Sequence, residues 1–315
     1  MPDIVVLFFV LGLVSGLMKS DLNLPKAAYE TLSLLLMLSI GLKGGLALHG
    51  NISVSLLTEA LVILLLGFSL PLLLLPLLRV VIGLSPANAI SFAAHYGSVS
   101  AGTFAVALAY AQSNQLELGG QVTLYLVLLE LPALLVAIGL YQMTQQRHSP
   151  SSGFQVKALL HETFTNRSVV LLVGGVIIGG LYGYEQGGVV VELLTNSFPL
   201  ILALFLLEMG LVAAETLRKF RWRYWRVVAF ALLAPPVLSL SGMLAAIILG
   251  LPTGSAVILA ALAASASYIA APVAIRKAIP EADIGLVMLA SLGITFPFNV
   301  LLGIPLYHQL YSLLM

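Results

Sequence analysis

The 315-residue sequence contains no cysteine and has few charged side chains. Without cysteine, disulfides, thiolate nucleophiles and cysteine-ligated metal sites are excluded. Asp, Glu, Lys and Arg make up 9% of the residues, whereas soluble domains carry roughly 25%. So little charge cannot cover a water-exposed surface, and the mean hydropathy of +1.07 agrees with that. We therefore expect an integral membrane protein, and the formal charge of only +1 gives no reason to expect a nucleic-acid partner.

Apolar segments fill nearly the whole chain. One membrane span needs roughly 20 apolar residues, so ten spans with short loops would use the full length and leave no soluble domain. The polar interruptions predict ten transmembrane helices, with uncertain ends. The predicted helices 1 to 10 cover 3–19, 25–47, 54–80, 86–112, 119–142, 168–185, 192–216, 225–249, 254–278 and 284–311.

The basic residues divide the predicted connections into two sides. Every Lys and Arg except Lys43, which falls inside helix 2, lies in or beside a connection that follows an odd-numbered helix. The positive-inside rule assigns that side to the cytoplasm. We therefore expect a multi-pass protein of the plasma (inner) membrane with both termini outside.

Matches at a nearly constant separation predict an internal repeat. They pair Gly41-Leu42 with Gly210-Leu211, Ser98-Val99-Ser100 with Ser265-Ala266-Ser267, and Leu140-Tyr141 with Leu306-Tyr307. Because five spans is an odd number, the second half would be inverted relative to the first. The expected fold is an all-α membrane protein with a five-helix repeat at 1–142, a cytoplasmic linker at 143–167 and an inverted five-helix repeat at 168–315.

Helices 4 and 9 carry small and polar residues at mid-span, where leucine would be the ordinary choice. In helix 4, Gly97 and Gly102 lower the helix propensity. In helix 9, Pro272 offers no N–H to the carbonyl of Tyr268. We therefore predict that both helices are broken at the same depth, which a membrane protein tolerates only inside protein or beside a wet cavity.

The two predicted breaks form a candidate anion site. Each half-helix N-terminus has unpaired N–H groups and about half a positive charge, and neighbouring hydroxyls add donors. Close packing of small residues between helices is the alternative interpretation. The candidate substrate-binding residues are Gly97, Ser98, Val99, Ser100, Gly102, Thr103, Ser265, Ala266, Ser267 and Tyr268.

Few ionisable residues fall within the predicted spans. Glu130 lies centrally in helix 5, and we expect a cation-coordinating or proton-linked role for it. For Glu208 and Lys43, an interhelical polar contact is at least as good an interpretation. His95 has no second histidine at metal-ligand spacing, so we expect a packing residue and no transition metal.

Several motifs together resemble the SbtA-type sodium-dependent bicarbonate transporters over essentially the whole length. They are Gly97-Ser98-Val99-Ser100-Ala101-Gly102-Thr103, Glu130-Leu131-Pro132-Ala133-Leu134, Met209-Gly210 with Leu217-Arg218-Lys219, Ala263-Ala264-Ser265-Ala266-Ser267, and Arg276-Lys277-Ala278-Ile279-Pro280. Several positions depart from the cyanobacterial pattern. Tyr268 and Glu130 each stand where that pattern has aspartate, Ala270 stands where it has serine, and Ala101-Gly102 stands where it has Gly-Ser.

The resemblance implies that the chain forms two domains with different functions. It implies a core (transport) domain at 54–142 and 225–315, a gate (scaffold) domain at 1–50 and 168–216, an elevator-like movement, a homotrimer and Na⁺ as the coupling ion, with no organic cofactor. Na⁺ prefers oxygen ligands. The candidate sodium-binding residues are Glu130, Ser98, Ser100 and Ser267.

We therefore expect no enzyme but a secondary active symporter for Na⁺-coupled uptake of bicarbonate or another small anion. A bile-acid or organic-anion sodium symporter or an antiporter of related fold is one alternative. An intramembrane serine protease is another, with Ser100 as nucleophile and His95 as base. The basic loop 218–226 could bind a PII-like cytoplasmic regulator or anchor the protein at the membrane surface.

Overall fold

A computed structural model describes residues 4–50, 54–146, 165, 167–218 and 220–315, and in these residues the only regular structure is helical. The predicted linker 143–167 lies mostly outside the described residues. The same holds for three of the basic residues used for the topology, Arg147, Lys157 and Lys219.

Twelve α-helices and one short 3-10 helix, Trp222–Tyr224, make up the described chain. The α-helices are numbered in chain order. They are α1 (Ile4–Leu17), α2 (Lys26–Leu48), α3 (Val54–Val80), α4 (Pro86–Gly97), α5 (Ala101–Ser113), α6 (Val122–Gln146), α7 (Arg167–Asn196), α8 (Phe198–Arg218), α9 (Trp225–Leu249), α10 (Thr253–Ala263), α11 (Ala270–Ala278) and α12 (Ile284–Leu314). Helix α12 contains two π-helical stretches, Leu289–Thr295 and Asn299–Gly303.

Six helical stretches are long and apolar enough to cross a membrane. They are Lys26–Leu48, Ser55–Val80, Val122–Thr144, Val169–Arg218, Trp222–Leu249 and Ile284–Leu314. The Val169–Arg218 stretch is 50 residues long because α7 and α8 follow one another almost without a gap. The chain is therefore an integral membrane protein with at least these six apolar helical stretches.

The end that the sequence predicts for helix 6 falls at a kink within α7. The sequence places the end of helix 6 at residue 185, whereas α7 continues to Asn196. It does so across a kink, where Gly183 has a φ of 60° and Gly188 a φ of 50°. Glycine adopts this left-handed conformation at little cost, so the glycine-rich segment that suggests a loop is accommodated as a bend within helical structure.

Helices α1, α2, α7 and α8 pack against one another as two close pairs. A Cβ atom at Gly41 of α2 would lie 2.3 Å from the carbonyl oxygen of Leu172 in α7. A Cβ atom at Gly210 of α8 would lie 2.2 Å from the carbonyl oxygen of Phe9 in α1. Both helix pairs therefore cross backbone against backbone, as small residues allow in membranes.

Candidate functional site

The chain leaves the helical conformation between α4 and α5, where the sequence predicts the first break. Ser98 follows the last residue of α4 with extended backbone, at φ −86° and ψ 177°. Ser100 caps α5, because its Oγ accepts a hydrogen bond from the backbone N–H of Thr103 at 3.0 Å. Serine is a favoured N-cap residue, so the polar residues that interrupt this span also begin the next half-helix.

A second break separates α10 from α11. Helix α10 ends at Ala263 and α11 begins at Ala270. The Oγ of Ser267 accepts a hydrogen bond from the N–H of Ala271 at 3.1 Å. Pro272 is the third residue of α11, where its missing N–H costs nothing because the first turn lacks intrahelical acceptors.

The two breaks bind each other through reciprocal hydrogen bonds. The N–H of Ser100 donates to Oγ of Ser265 at 2.9 Å, and the N–H of Ser267 donates to the carbonyl of His95 at 2.7 Å. Oγ of Ser265 in turn donates to the carbonyl of Leu262 at 2.8 Å. Backbone groups freed by the loss of helix therefore find partners on the opposite break, as a buried backbone requires.

Asn299 completes this network, and the sequence reasoning missed it. Its Nδ2 donates to the carbonyl of Ala264 at 2.9 Å, and its Oδ1 accepts from the hydroxyl of Tyr307 at 2.6 Å. Asn299 is fully buried at the start of the second π-helical stretch of α12. The available signal was an amide side chain at mid-span, which is costly in a membrane without a partner.

Three hydroxyls at the breaks have no hydrogen-bond partner in the part of the chain that the structure describes. They belong to Ser98, Thr103 and Tyr268, whose residues are 1%, 0% and 6% exposed. The Tyr268 hydroxyl neighbours the Ser100 side chain without forming a hydrogen bond. An unsatisfied buried polar group costs about 1–3 kcal/mol, so three together are what a site for a polar ligand would have.

A small cavity lies between the N-termini of α5 and α11. Its volume is about 10 Å³, close to the smallest that holds one water molecule. The lining residues are Met37, Val99, Ser100, Ala101, Glu130, Ser267, Tyr268, Ile269 and Ala270. Three of the four candidate sodium residues therefore meet around one cavity, and Ser98 is not among its lining residues.

Glu130 is the acidic group at this cavity. It is 7% exposed, and within the described residues no hydrogen bond or ion pair involves its carboxylate. The oxygens of Ser100 and Ser267 already accept backbone N–H groups, but a hydroxyl oxygen retains a further lone pair. The donor set is a carboxylate and two hydroxyls, which suits a hard cation such as Na⁺.

The remaining candidate residues have packing roles around the breaks. A Cβ atom at Gly97 would lie 2.8 Å from Cδ of Pro71, so this glycine allows α4 to approach α3. Ala266 is 2% exposed and belongs to an apolar cluster with α3, α4 and α9. The Gly102 backbone lies against the Tyr268 hydroxyl.

Two other ionisable residues of the predicted spans do not line the cavity. The ammonium of Lys43 is 4.1 Å from the ring centroid of Phe198, a cation–π contact. Oε2 of Glu208 is buried and lacks a partner among the described residues.

His95 does not activate a serine in this structure. Its Nδ1 contacts the carbonyl of Ser91 at 2.7 Å, and its Nε2 has no partner among the described residues. Ser98 Oγ is also without a partner. A nucleophilic serine requires a base within hydrogen-bond reach, so the arrangement does not support the protease interpretation.

The chain was compared with known protein families and with curated proteins. The model of the Na⁺-dependent bicarbonate transporter superfamily matches residues 4–312. No individual curated protein matches the chain. The family match agrees with the resemblance of the motifs, and it favours neither the bile-acid-type symporter, nor the antiporter, nor the protease.

Proposed function

The chain belongs to the Na⁺-dependent bicarbonate transporter superfamily, and we propose that it is a secondary active symporter that couples Na⁺ to the uptake of bicarbonate or another small anion. One observation carries the proposal. The N-termini of α5 and α11 border the same buried cavity, beside hydroxyls without partners. Such an arrangement favours an anion without any fixed cation.

The anion would be held by the first break and by Tyr268. Among the described residues, the hydroxyls of Ser98, Thr103 and Tyr268 have no hydrogen-bond partner. The first residues of α5 carry N–H groups without intrahelical acceptors. Ser265 has a different role, because its Oγ already accepts a hydrogen bond from the N–H of Ser100 and donates one to the carbonyl of Leu262. It holds the two breaks together rather than contacting the anion.

The coupling ion would be held by Glu130, Ser100 and Ser267. They line a cavity with room for about one water molecule, and a bare Na⁺ ion is no larger. Because the cation site and the N-terminus of α5 share Ser100, the charge of each ion would lower the cost of burying the other. This sharing is the physical basis we propose for coupling.

The helix arrangement supports ten spans in two inverted repeats. The 50-residue stretch of α7 and α8 is about twice what one crossing needs, and α4–α5 and α10–α11 each read as one interrupted span. Gly41 and Gly210, which the repeat pairs, both sit at backbone-to-backbone crossings, α2 with α7 and α8 with α1. Exchange of the two halves converts one crossing into the other.

An elevator-like movement follows from the same arrangement. Helices α1, α2, α7 and α8 would form the gate domain, and the two breaks with α3, α6, α9 and α12 would form the core that moves against it. By family resemblance we further propose a homotrimer with both termini outside. The exposed Trp222 and Trp225 beside the basic loop support anchoring at the membrane surface over a PII-like regulator.

Uptake into proteoliposomes tests the proposal. We expect radiolabelled bicarbonate uptake to depend on an inward Na⁺ gradient, and Glu130→Gln to abolish that dependence. The matched control is Glu192→Gln, which changes an exposed carboxylate of α7 in the same way and should leave uptake intact. Uptake that ignores sodium and is unchanged in Glu130→Gln would overturn the coupling model.

A further inference from the structure

The side chain of Tyr268 reaches from the second break across the first turn of α5. A Cβ atom at Gly102 would lie 2.1 Å from the Tyr268 hydroxyl oxygen. No side chain at position 102 can coexist with this placement of the tyrosine, since real contacts between such atoms are more than 3 Å apart. Gly102 and Tyr268 are therefore a matched pair, in which the absence of one side chain makes room for the other.

The hydroxyl of Tyr268 is held in place but not satisfied. Its ring packs edge to face on Phe296, with centroids 5.1 Å apart, and the residue is 6% exposed. The hydroxyl has no hydrogen-bond partner in the described part of the chain. A buried tyrosine hydroxyl normally finds a partner, and this one points at the positive end of α5.

The gate side of this position is aromatic. The ring carbon Cε1 of Phe205 in α8 lies 3.2 Å from the same Cβ position of Gly102. The ring of Tyr29 in α2 stacks on the ring of Phe205, with the centroids 6.0 Å apart. Phe9 of α1 packs on Phe296 at 5.5 Å. These three residues with Tyr268 and Phe296 form an aromatic cluster between the helices of the gate and those of the core.

The aromatic cluster favours one chemical class of anion. Bicarbonate carries a hydroxyl in place of a carbon substituent, and burial against phenyl rings would remove its water without returning hydrogen bonds. A carboxylate with an alkyl or aryl substituent gains from the same surroundings, because its apolar part leaves water favourably. Its carboxylate can still accept from the Tyr268 hydroxyl and from the N–H groups that begin α5.

We propose that the site takes a small monocarboxylate with an apolar substituent, which Tyr268 selects by donating its hydroxyl to the carboxylate. The cavity beside Tyr268 has room for only about one water molecule, so the substituent lies against the aromatic cluster only when the gate helices move away from the core. Gly102 is required because it admits the tyrosine. This inference rests on the proposed function and specifies its substrate.

Thermal shift of the purified wild-type protein in Na⁺ tests the substrate class. Acetate, propionate, butyrate and benzoate would be compared with bicarbonate at equal concentration and fixed pH. We expect propionate or a larger member of the series to raise Tm more than bicarbonate does. A preference for bicarbonate over every carboxylate would overturn the inference and leave the proposed function standing. No response to any of these anions would count against both.

Tyr268→Phe tests the role of the hydroxyl, since it keeps the ring and its packing. We expect the affinity for the preferred carboxylate to fall about tenfold or more, as for the loss of a hydrogen bond to a charged group. The matched control is Tyr110→Phe, in which the hydroxyl lost contacts His308 away from the cavity. Unchanged affinity in Tyr268→Phe would refute the assignment of the hydroxyl.

Gly102→Ala tests the pairing through a double-mutant cycle. Alone it should weaken carboxylate binding, because the methyl group displaces the tyrosine. Combined with Tyr268→Ala it should have much less further effect, since the methyl group then has room. Additive effects of the two substitutions would contradict the matched pair. The wild-type ranking of anions decides the substrate class even where a variant fails to fold.

Discussion

The backbone N–H of Ser100 donates a hydrogen bond of 2.9 Å to Oγ of Ser265, a residue 165 positions later in the chain. This bond joins the two breaks directly. The N–H of Ser267 donates in return to the carbonyl of His95, so each of the two segments satisfies a backbone group of the other.

Loss of the Ser265 hydroxyl should therefore destabilise the protein. In Ser265→Ala, the N–H of Ser100 is left buried without an acceptor, at a cost of about 1–3 kcal/mol. We expect a lower Tm in detergent. The control is Ser241→Ala, which removes a hydroxyl that bonds only the carbonyl of Leu238 in its own helix. Equal Tm values for the two variants would contradict this role of Ser265.

The side chain of Asn299 should contribute strongly to the stability of the protein, because it forms two buried hydrogen bonds. Asn299→Leu leaves the carbonyl of Ala264 and the hydroxyl of Tyr307 without partners, so the Tm should fall clearly. Tyr307→Phe removes only one of these bonds and should have a smaller effect. Tyr311→Phe, which loses a long bond of 3.4 Å to Leu251, should have the smallest effect of the three. Any other order of Tm values would refute the network.

At the crossing of α2 and α7, a residue larger than glycine at position 41 should destabilise the protein. In Gly41→Leu, the new side chain would meet the backbone of Leu172, and overpacking of this kind costs about 1–3 kcal/mol. Gly174→Leu is the control, because no atom lies within 4 Å of the Cβ position at Gly174. A Tm of Gly41→Leu equal to that of the control would show that the crossing is not tight.

The carboxylate of Glu281 should make stability depend on acid pH. The hydroxyl of Tyr141 donates a hydrogen bond to it, and this bond lowers the pKa of Glu281 from its usual value of 4.5. A carboxylate whose pKa is lower in the folded than in the unfolded protein stabilises the fold at pH values above its unfolded-state pKa. This stabilisation is lost as the pH falls through the folded-state pKa. The Tm difference between the wild type and Tyr141→Phe should therefore be present at pH 6 and shrink below about pH 4. A difference that stays constant with pH would exclude this linkage.

Much of the fold and part of the site follow from local sequence. The helix α9 begins and ends where its apolar run does, and the breaks fall at Ser98–Ser100 and near Ser267 because serines there cap the next half-helix. Glu130 could be chosen as a site residue because an acidic group within an apolar span needs a reason. The glycine-rich segment of α7 predicts an interruption near residue 185, and the structure has a kink there, since glycine permits a kink as readily as a loop.

The sequence alone determined that the chain is an integral membrane protein and that helical structure is interrupted near Ser98–Ser100 and Ser265–Ser267, because hydropathy and local backbone chemistry are properties of neighbouring residues. Only the tertiary structure decided which groups meet. It brought Glu130, Ser100 and Ser267 to one cavity, gave Ala264 its partner in Asn299, and laid Tyr268 over Gly102. Such contacts join residues far apart in the chain, and no local pattern encodes the distance between them.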